Sequence, residues 1–224
     1  MLRVLTISWA SGLSMVYLWR LQNAKRKERF SMNLKNKNYL QLVAPWKVEE
    51  KGAVLEAGPF RICKRHCSSN SYPERAGDYY YLDTANWVNI IAITEKQKLV
   101  MIEQFRQGNA SITLEIPGGM VDDGEPVLDA AKRELREETG YGGPSIEMIG
   151  HVTPNPAIQS NKCHTALVEQ ATRQSKQNLD VDEEIAVRLV PLEDIPTLIR
   201  DGIITHALMI AAYFHYINRR TDTA

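Results

Sequence analysis

The segment 119–141 constrains this chain more than any other part of its sequence. It reads GMVDDGEPVLDAAKRELREETGY. Pro126 can open a helix because the first helical turn does not need its missing N–H, and Gly140 can end one in a left-handed conformation. Apolar residues recur between them every three or four positions, at Val127, Ala130, Ala131 and Leu135. The pattern predicts a helix that packs one face against a sheet.

Three glutamates share another face of this predicted helix. Glu134, Glu137 and Glu138 stand at positions i, i+3 and i+4. Carboxylates gathered within one turn oppose each other's ionisation unless a cation compensates, and hard oxygen ligands suit Mg²⁺ or Mn²⁺. The alternative is a solvated acidic face paired with the basic residues of the same helix. That alternative does not explain why two glycines and a further glutamate stand at fixed distances from the cluster.

The whole segment fits the pattern G-x5-E-x7-R-E-U-x-E-E-x-G-U, in which U is a bulky apolar residue. This pattern is the Nudix box, and the chain resembles the Nudix hydrolases. The box positions are Gly119, Glu125, Arg133, Glu134, Leu135, Glu137, Glu138, Gly140 and Tyr141. The resemblance implies hydrolysis of a nucleoside diphosphate linked to another group. It also implies an α/β fold, the Nudix α/β/α sandwich with a mixed β-sheet.

The resemblance assigns roles within the box. Glu134, Glu137 and Glu138 are expected to bind a divalent metal, Mg²⁺ or Mn²⁺, with the main-chain carbonyl of Gly118 as a further ligand. Arg133 is expected to hold a glutamate in position. Bound metal would orient the diphosphate and lower the pKa of a coordinated water.

Motifs outside the box resemble one branch of the superfamily. LEIPGG at 114–119, EQFRQG at 103–108 and Pro156, sixteen residues after Gly140, are similar to ADP-ribose pyrophosphatases. The expected reaction converts ADP-ribose, or a related nucleoside-diphosphate sugar, to a nucleoside monophosphate and a sugar phosphate. The fixed φ of Pro156 would stiffen the loop over the substrate.

Further substrate contacts and a general base are predicted outside the box. Arg106 can bind phosphate in bidentate fashion or stack on a base, and Trp87 can offer an aromatic surface to adenine. The resemblance implies a general base on a loop after the box, where the acidic run 180–184 lies; Glu183 is the choice, with Asp182 and Glu184 as reserves. Glu134 is the alternative base.

Two other functions remain as alternatives. The chain could be a Nudix hydrolase of dinucleotides, coenzyme A or modified nucleoside triphosphates. A non-catalytic module that senses a nucleotide sugar is the second, although such a module has no need of metal ligands. A nucleic-acid partner is not expected, because the formal net charge is zero and binding a polyanion calls for a basic face.

Cysteine usage indicates a reducing compartment. Three cysteines are too few for a disulfide scaffold. A zinc site at Cys163 and His164 is disfavoured, since adjacent residues of a strand point to opposite faces.

The chain is predicted to divide into three parts: 1–31, an N-terminal extension 32–84 with a small β-sheet, and a Nudix domain 85–224. Residues 4–19 carry no charge, but as a helix they would span only about 24 Å, short of the roughly 30 Å hydrocarbon core. They are either a membrane anchor, with the catalytic domain cytoplasmic because of the basic cluster after it, or the product of a mis-assigned start ahead of Met32.

Apolar runs predict the order of elements. Strands are expected at 59–67, 79–83, 88–94, 99–105, 112–116, 146–152, 164–169 and 185–190, and helices after the box at 192–200 and 205–218. The first two strands would form the small sheet outside the core. By resemblance, this extension also predicts a homodimer.

Overall fold

A computed structural model describes residues 42–181 and 183–222, the last three of these by their backbone alone. The expectations for 1–31, including an anchor at 4–19, and for a start at Met32 lie outside the described residues. Within the described residues, no helix is long and apolar enough to cross a membrane.

Contacts divide the chain into two units. The described part of the smaller one comprises 42–47 and 68–76, where Asn70 donates a hydrogen bond to the carbonyl of Pro45 and the Arg75 guanidinium lies over the Tyr72 ring. The larger unit, formed by 48–67 and 77–224, contains the box. The boundary predicted between 84 and 85 stays a prediction.

A three-stranded sheet precedes the box in the chain. Its strands, in spatial order, are β1 (Lys47–Ala57), β2 (Phe60–Ser68) and β3 (Ala76–Asp83). β2 and β3 correspond to the two strands predicted from the sequence, whereas β1 was not predicted. Every residue of β1 is exposed, so the strand lacks the apolar alternation by which half-buried strands are recognised.

The main sheet has seven strands: β4 (Trp87–Ile93), β5 (Lys98–Arg106), β6 (Ser111–Glu115), β7 (Gly118–Met120), β9 (Glu147–Val152), β10 (Cys163–Glu169) and β12 (Ile185–Pro191). Its central order is β12-β5-β4-β10-β9, with β6 paired to β5 and β7 paired to β4. β10 runs parallel to β4, and the other pairs for which the register is defined are antiparallel. The predicted mixed sheet is confirmed. Two short strands, β8 (Tyr141–Gly142) and β11 (Thr172–Arg173), pair separately.

Three α-helices are described: α1 (Val127–Thr139), α2 (Ile195–Arg200) and α3 (Ala207–Asp222). The single helix predicted at 192–200 is instead a 3-10 turn (Leu192–Asp194) followed by α2. Pro196 lies in the first turn of α2, where its missing N–H costs no hydrogen bond.

Alternate residues of β4 and β5 point to opposite faces of the sheet, and helices pack against both faces. One buried cluster joins these strands to α1, through Val88, Ile90, Val100, Ala130, Ala131 and Leu135. The other joins them to α2 and α3, through Ile91, Leu99, Met101, Ile195, Met209 and Ala212. The α/β/α sandwich predicted from the sequence is therefore confirmed.

The arrangement of β4 to β7 positions the box. β4 and β5 pair at their hairpin end, through Ile93 and Leu99. Further along, β6 pairs with β5, and β7 pairs with the beginning of β4. The two glycines of β7, Gly118 and Gly119, therefore lie in the middle of the sheet, and the chain continues from there to α1.

Candidate active site

Helix α1 has the two ends that the sequence predicts. Pro126 precedes it with φ −64° and ψ 132°, and Gly140 follows it in the left-handed region at φ 73°. The N–H of Gly140 donates to the carbonyl of Arg136. Because Ala131 and Leu135 are buried against the sheet, the box carboxylates come to lie beside β7.

Glu138 and Glu134 meet the two glycines of β7. The N–H of Gly118 donates to Oε2 of Glu138 over 2.8 Å. A Cβ on Gly118 would lie 2.7 Å from Oδ1 of Asn89, and a Cβ on Gly119 would lie 2.6 Å from Oε2 of Glu134. Both glycines are thus required by close approach of the backbone to its surroundings.

Arg133 binds three glutamates of the box at once. Its Nε and Nη2 donate to the two carboxylate oxygens of Glu125, over 3.1 and 2.9 Å. Its Nη1 donates to Glu134 over 2.7 Å and to Glu137 over 3.3 Å. Nη2 also donates to the carbonyl of Met120 over 3.1 Å. The guanidinium therefore ties α1 to the loop before it and fixes the direction of the Glu134 carboxylate.

Two carboxylates of α1, those of Glu134 and Glu138, resist ionisation in the absence of a cation. Burial raises the pKa of Glu138 to about 8, against the Gly118 hydrogen bond, and the charges of Glu134 and Glu183 raise it further. Burial also raises the pKa of Glu134, which Arg133 opposes, and Glu137 and Glu183 add repulsion. The charge of Glu183 thus contributes to the raised pKa of both carboxylates. Its own carboxylate accepts a hydrogen bond from the N–H of Asp180 over 3.0 Å.

The donor chemistry of this cluster fits a hard divalent cation. Glu138 is only 3% exposed, and a buried carboxylate needs a compensating positive charge. Within the described part of the chain, no three side chains of His, Cys, Asp or Glu converge in a ligating arrangement. Glu137 is turned toward Arg133 instead, so binding through all three glutamates requires that side chain to leave its ion pair.

Arg106 is paired with a buried glutamate that the sequence analysis assigned no role. Its Nε and Nη2 donate to Oε1 and Oε2 of Glu115, over 3.0 and 2.8 Å. Thr113 donates to Oε1 over 2.5 Å, and Nδ1 of His206 lies 3.1 Å from Oε2. Burial alone would raise the pKa of Glu115, but the hydrogen bonds from these residues hold it well below its usual range.

A cavity of about 330 Å³ is lined by this group together with residues around it. The one sequence signal for a role of Glu115 is that this charged residue stands between the apolar Leu114 and Ile116, in the strand that leads to the box. Nothing in the sequence indicates His206, which is far from Glu115 along the chain.

Pro156 and Trp87 are less closely tied to the cluster. Pro156 is exposed in the loop 153–162, and Trp87 is half-buried at the start of β4, where it pairs with Met120. Neither side chain has a hydrogen bond or ion pair to the box carboxylates among the residues described. Their contact with substrate stays a prediction.

The cysteines take no part in this site. Burial raises the pKa of the Cys163 thiol to about 12, so without a metal this side chain is a neutral thiol at pH 7. Cys63 is also buried, and all three cysteines are free thiols.

The fold and the box define a Nudix protein. The NUDIX domain family model matches residues 84–213, and the chain belongs to this family. The family membership predicted from the sequence is confirmed.

The chain is similar to several proteins named as pyrophosphatases or hydrolases. It is 34% identical over 113 residues to the ADP-ribose pyrophosphatase of Bacillus subtilis, covering 50% of this chain and 61% of that protein. It is 34% identical over 89 residues to the mouse ADP-sugar pyrophosphatase, covering 38% and 41%. It is 28% identical over 127 residues to the ADP compounds hydrolase NudE of Escherichia coli, covering 57% and 67%. The predicted resemblance to ADP-ribose pyrophosphatases is thereby confirmed.

A solved structure shares the fold. The crystal structure of an ADP compounds hydrolase superposes with a TM-score of 0.69 at 22% identity, covering 84% of this chain and 99% of that one. The chain spans about three-fifths of the length of the Bacillus subtilis relative.

Proposed function

We propose that this protein hydrolyses the diphosphate bond of ADP-ribose, or of a related nucleoside-diphosphate sugar, in a reaction that depends on Mg²⁺ or Mn²⁺. The products are a nucleoside monophosphate and a sugar phosphate. The observation that carries the proposal is the pair of carboxylates that α1 places beside β7: the buried Glu138, hydrogen-bonded to Gly118, and the half-buried Glu134, close to Gly119. Relatives named ADP-ribose and ADP-sugar pyrophosphatases support the substrate class.

The residues of the box have two proposed roles, binding of the metal and positioning of its ligands. Glu134 and Glu138, with the main-chain carbonyl of Gly118 and with Glu137 after it leaves Arg133, would hold the divalent cation. When bound, that cation neutralises diphosphate charge and lowers the pKa of a bound water. Arg133 remains with Glu125 and keeps the Glu134 carboxylate in a fixed direction.

Two residues outside the box complete the proposed site. Arg106 would bind the diphosphate, because its side chain is 42% exposed while its inner edge is held by Glu115. Glu183 would accept the proton of the attacking water. Its charge contributes to the raised pKa of Glu134 and Glu138, which supports this role. Glu134 is the alternative base. Pro156 and Trp87 are proposed to border the nucleotide.

A substrate panel tests the proposal. Purified protein with Mg²⁺ is incubated with ADP-ribose, GDP-mannose, a dinucleotide, coenzyme A and a nucleoside triphosphate, and the products are separated by chromatography. We expect AMP and a sugar phosphate from ADP-ribose. Turnover of only the last three compounds would favour a different Nudix reaction, and binding of ADP-ribose without turnover would favour a sensing module.

We also propose a homodimer. The three-stranded sheet exposes large apolar side chains, with exposed fractions of 54% for Val48, 53% for Val54, 54% for Leu55 and 46% for Phe60. Exposed apolar side chains in this number support an interface on this sheet.

A further inference from the structure

The Glu115 carboxylate accepts hydrogen bonds on both of its oxygens from several directions. Oε1 accepts from Nε of Arg106 and from Thr113, and Oε2 accepts from Nη2 of Arg106. The fourth partner, Nδ1 of His206, lies 3.1 Å from Oε2. The side chain of Glu115 is only 2% exposed. An ionised carboxylate so deeply buried is stable only with these donors in place.

His206 must donate to this carboxylate. The hydrogen bonds of Glu115 keep its pKa well below the usual range, so it is ionised at neutral pH and can only accept. Nδ1 of His206 therefore carries a proton, whether the ring is an imidazolium or the neutral Nδ1–H tautomer.

The backbone of His206 is fixed by helix α3. His206 directly precedes the helix, and its carbonyl accepts a hydrogen bond from the N–H of Ile210 over 3.1 Å. The helix is anchored by the fully buried Met209 and by Ala212. The imidazole is thus held on a rigid element, and it transmits that rigidity to Glu115.

Arg106 keeps donors for a ligand. A guanidinium has five N–H groups, and Glu115 takes one from Nε and one from Nη2. The remaining three N–H groups belong to a side chain that is 42% exposed. The direction in which they point depends on the plane of the Glu115 carboxylate, since a bidentate pair fixes the two groups in one plane.

We infer that His206 is a positioning residue, which orients the Glu115 carboxylate so that Arg106 presents its free N–H groups to the diphosphate of the substrate. This inference rests on the proposed function. His206 acts through two other side chains and does not touch the substrate. Its loss should weaken binding of the diphosphate and leave the chemical step nearly unchanged.

Three variants test this role. His206→Ala removes the donor, and His206→Asn keeps an N–H near the position of Nδ1. His151→Ala, which removes an exposed histidine from β9, is the matched control. In His206→Ala we expect KM to rise about tenfold with kcat within about threefold of wild type, as loss of uniform binding requires. His206→Asn should return KM to within about threefold, and His151→Ala should leave both constants unchanged.

A spectroscopic measurement follows the arginine itself. The Nε–H of Arg106 gives its own ¹H–¹⁵N resonance, assigned by its loss in Arg106→Lys. Because this proton is hydrogen-bonded to Glu115, we expect it to exchange with water about tenfold faster in His206→Ala and at the wild-type rate in His206→Asn. His206→Leu, of similar size but without a donor, replaces the alanine variant if that variant does not fold.

The outcomes separate the two proposals. Unchanged KM and unchanged exchange in His206→Ala, a fall in kcat at constant KM, or failure of His206→Asn to restore KM would each overturn the role of His206. Absence of turnover of any nucleotide by wild type would overturn the proposed function. In that case the exchange rates of the Arg106 Nε–H test the positioning role of His206 on their own: faster exchange in His206→Ala supports it, and an unchanged rate overturns it.

Discussion

At the scale of single residues, Glu138 shows how burial prepares a carboxylate for a metal. Its pKa of about 8, raised chiefly by burial, means that the carboxyl group is mostly protonated at neutral pH when no cation is bound. Binding a divalent cation must then release this proton. The apparent metal affinity should therefore rise with pH until about pH 8 and level off above it.

The substitution Glu138→Gln separates the catalytic and structural consequences of this carboxylate. Activity should fall by about a thousandfold or more, because the amide is a poor metal ligand. The pKa of Glu138 is raised on folding, so between about pH 4.3 and about pH 8 the folded state binds more protons than the unfolded state. Without metal, the free energy of unfolding of the wild type therefore decreases as the pH rises through this window. The glutamine variant has no group that titrates at this position, so it does not show this decrease.

Thermal unfolding with chelator present measures this difference. We expect the Tm of Glu138→Gln to exceed that of wild type by roughly 5 °C at pH 8.5, and by less at pH 5. Equal differences at both pH values would contradict the raised pKa. Full activity in the variant would contradict the metal role.

Gly119 tests the contact between the box loop and Glu134. A methyl group in Gly119→Ala would meet the Glu134 carboxylate, with Oε2 2.6 Å from the added Cβ. The carboxylate must turn away, and we expect kcat/KM to fall about 100-fold, since displacement of a catalytic group by 1 Å has that effect. The control is Gly77→Ala in β3, where the added Cβ makes an ordinary contact of 3.8 Å with Tyr79. Equal activity of the two variants would refute the argument.

At the scale of elements, the sequence predicts those helix ends and strands that depend on the chemistry of single residues or on burial. Pro126 and Gly140 marked the ends of α1 because a missing N–H and a positive φ are properties of single residues. β4, β5 and β10 were found because they are buried apolar runs. β1 was missed because it is exposed along its whole length and is held by backbone pairing, which leaves no pattern in the side chains.

The end of α1 allows strain to be separated from steric clash. Gly140 and Gly202 both have φ 73°, but a Cβ on Gly140 would meet the carbonyl of Ser175, and a Cβ on Gly202 would meet nothing within 4 Å. Gly202→Ala should therefore lower the free energy of unfolding by about 1 kcal/mol, for the left-handed backbone alone.

Gly140→Ala should lower the free energy of unfolding by about 2–4 kcal/mol, because it adds the clash to the same backbone strain. Urea unfolding followed by circular dichroism measures both variants. A Gly140→Ala variant no less stable than Gly202→Ala would show that the 175–176 segment moves aside at little cost.

At the scale of the whole molecule, the site depends on contacts between distant parts of the chain. Glu115 lies in β6 and His206 precedes α3, and the 3.1 Å approach of Nδ1 to Oε2 forms only once the helix has packed against the sheet. From the sequence, Arg106 is predicted to bind the nucleotide. The pairing of one edge of its guanidinium with Glu115 cannot be predicted in this way, because it depends on strand register, here Ile102 opposite Glu115 and Arg106 opposite Ser111.

Assembly is the largest-scale prediction, and light scattering after size exclusion tests it. We expect a mass of twice the chain mass of 25.4 kDa, because the three-stranded sheet exposes an apolar surface that a second copy would bury. The double substitution Val54→Glu and Leu55→Glu places a charge on each face of β1 and should give monomers with unchanged circular dichroism. Phe214→Glu, at a residue of α3 that is 60% exposed, is the matched control and should remain dimeric. A wild-type protein that is monomeric at micromolar concentration, or a double variant that is still dimeric, would exclude this sheet as the interface.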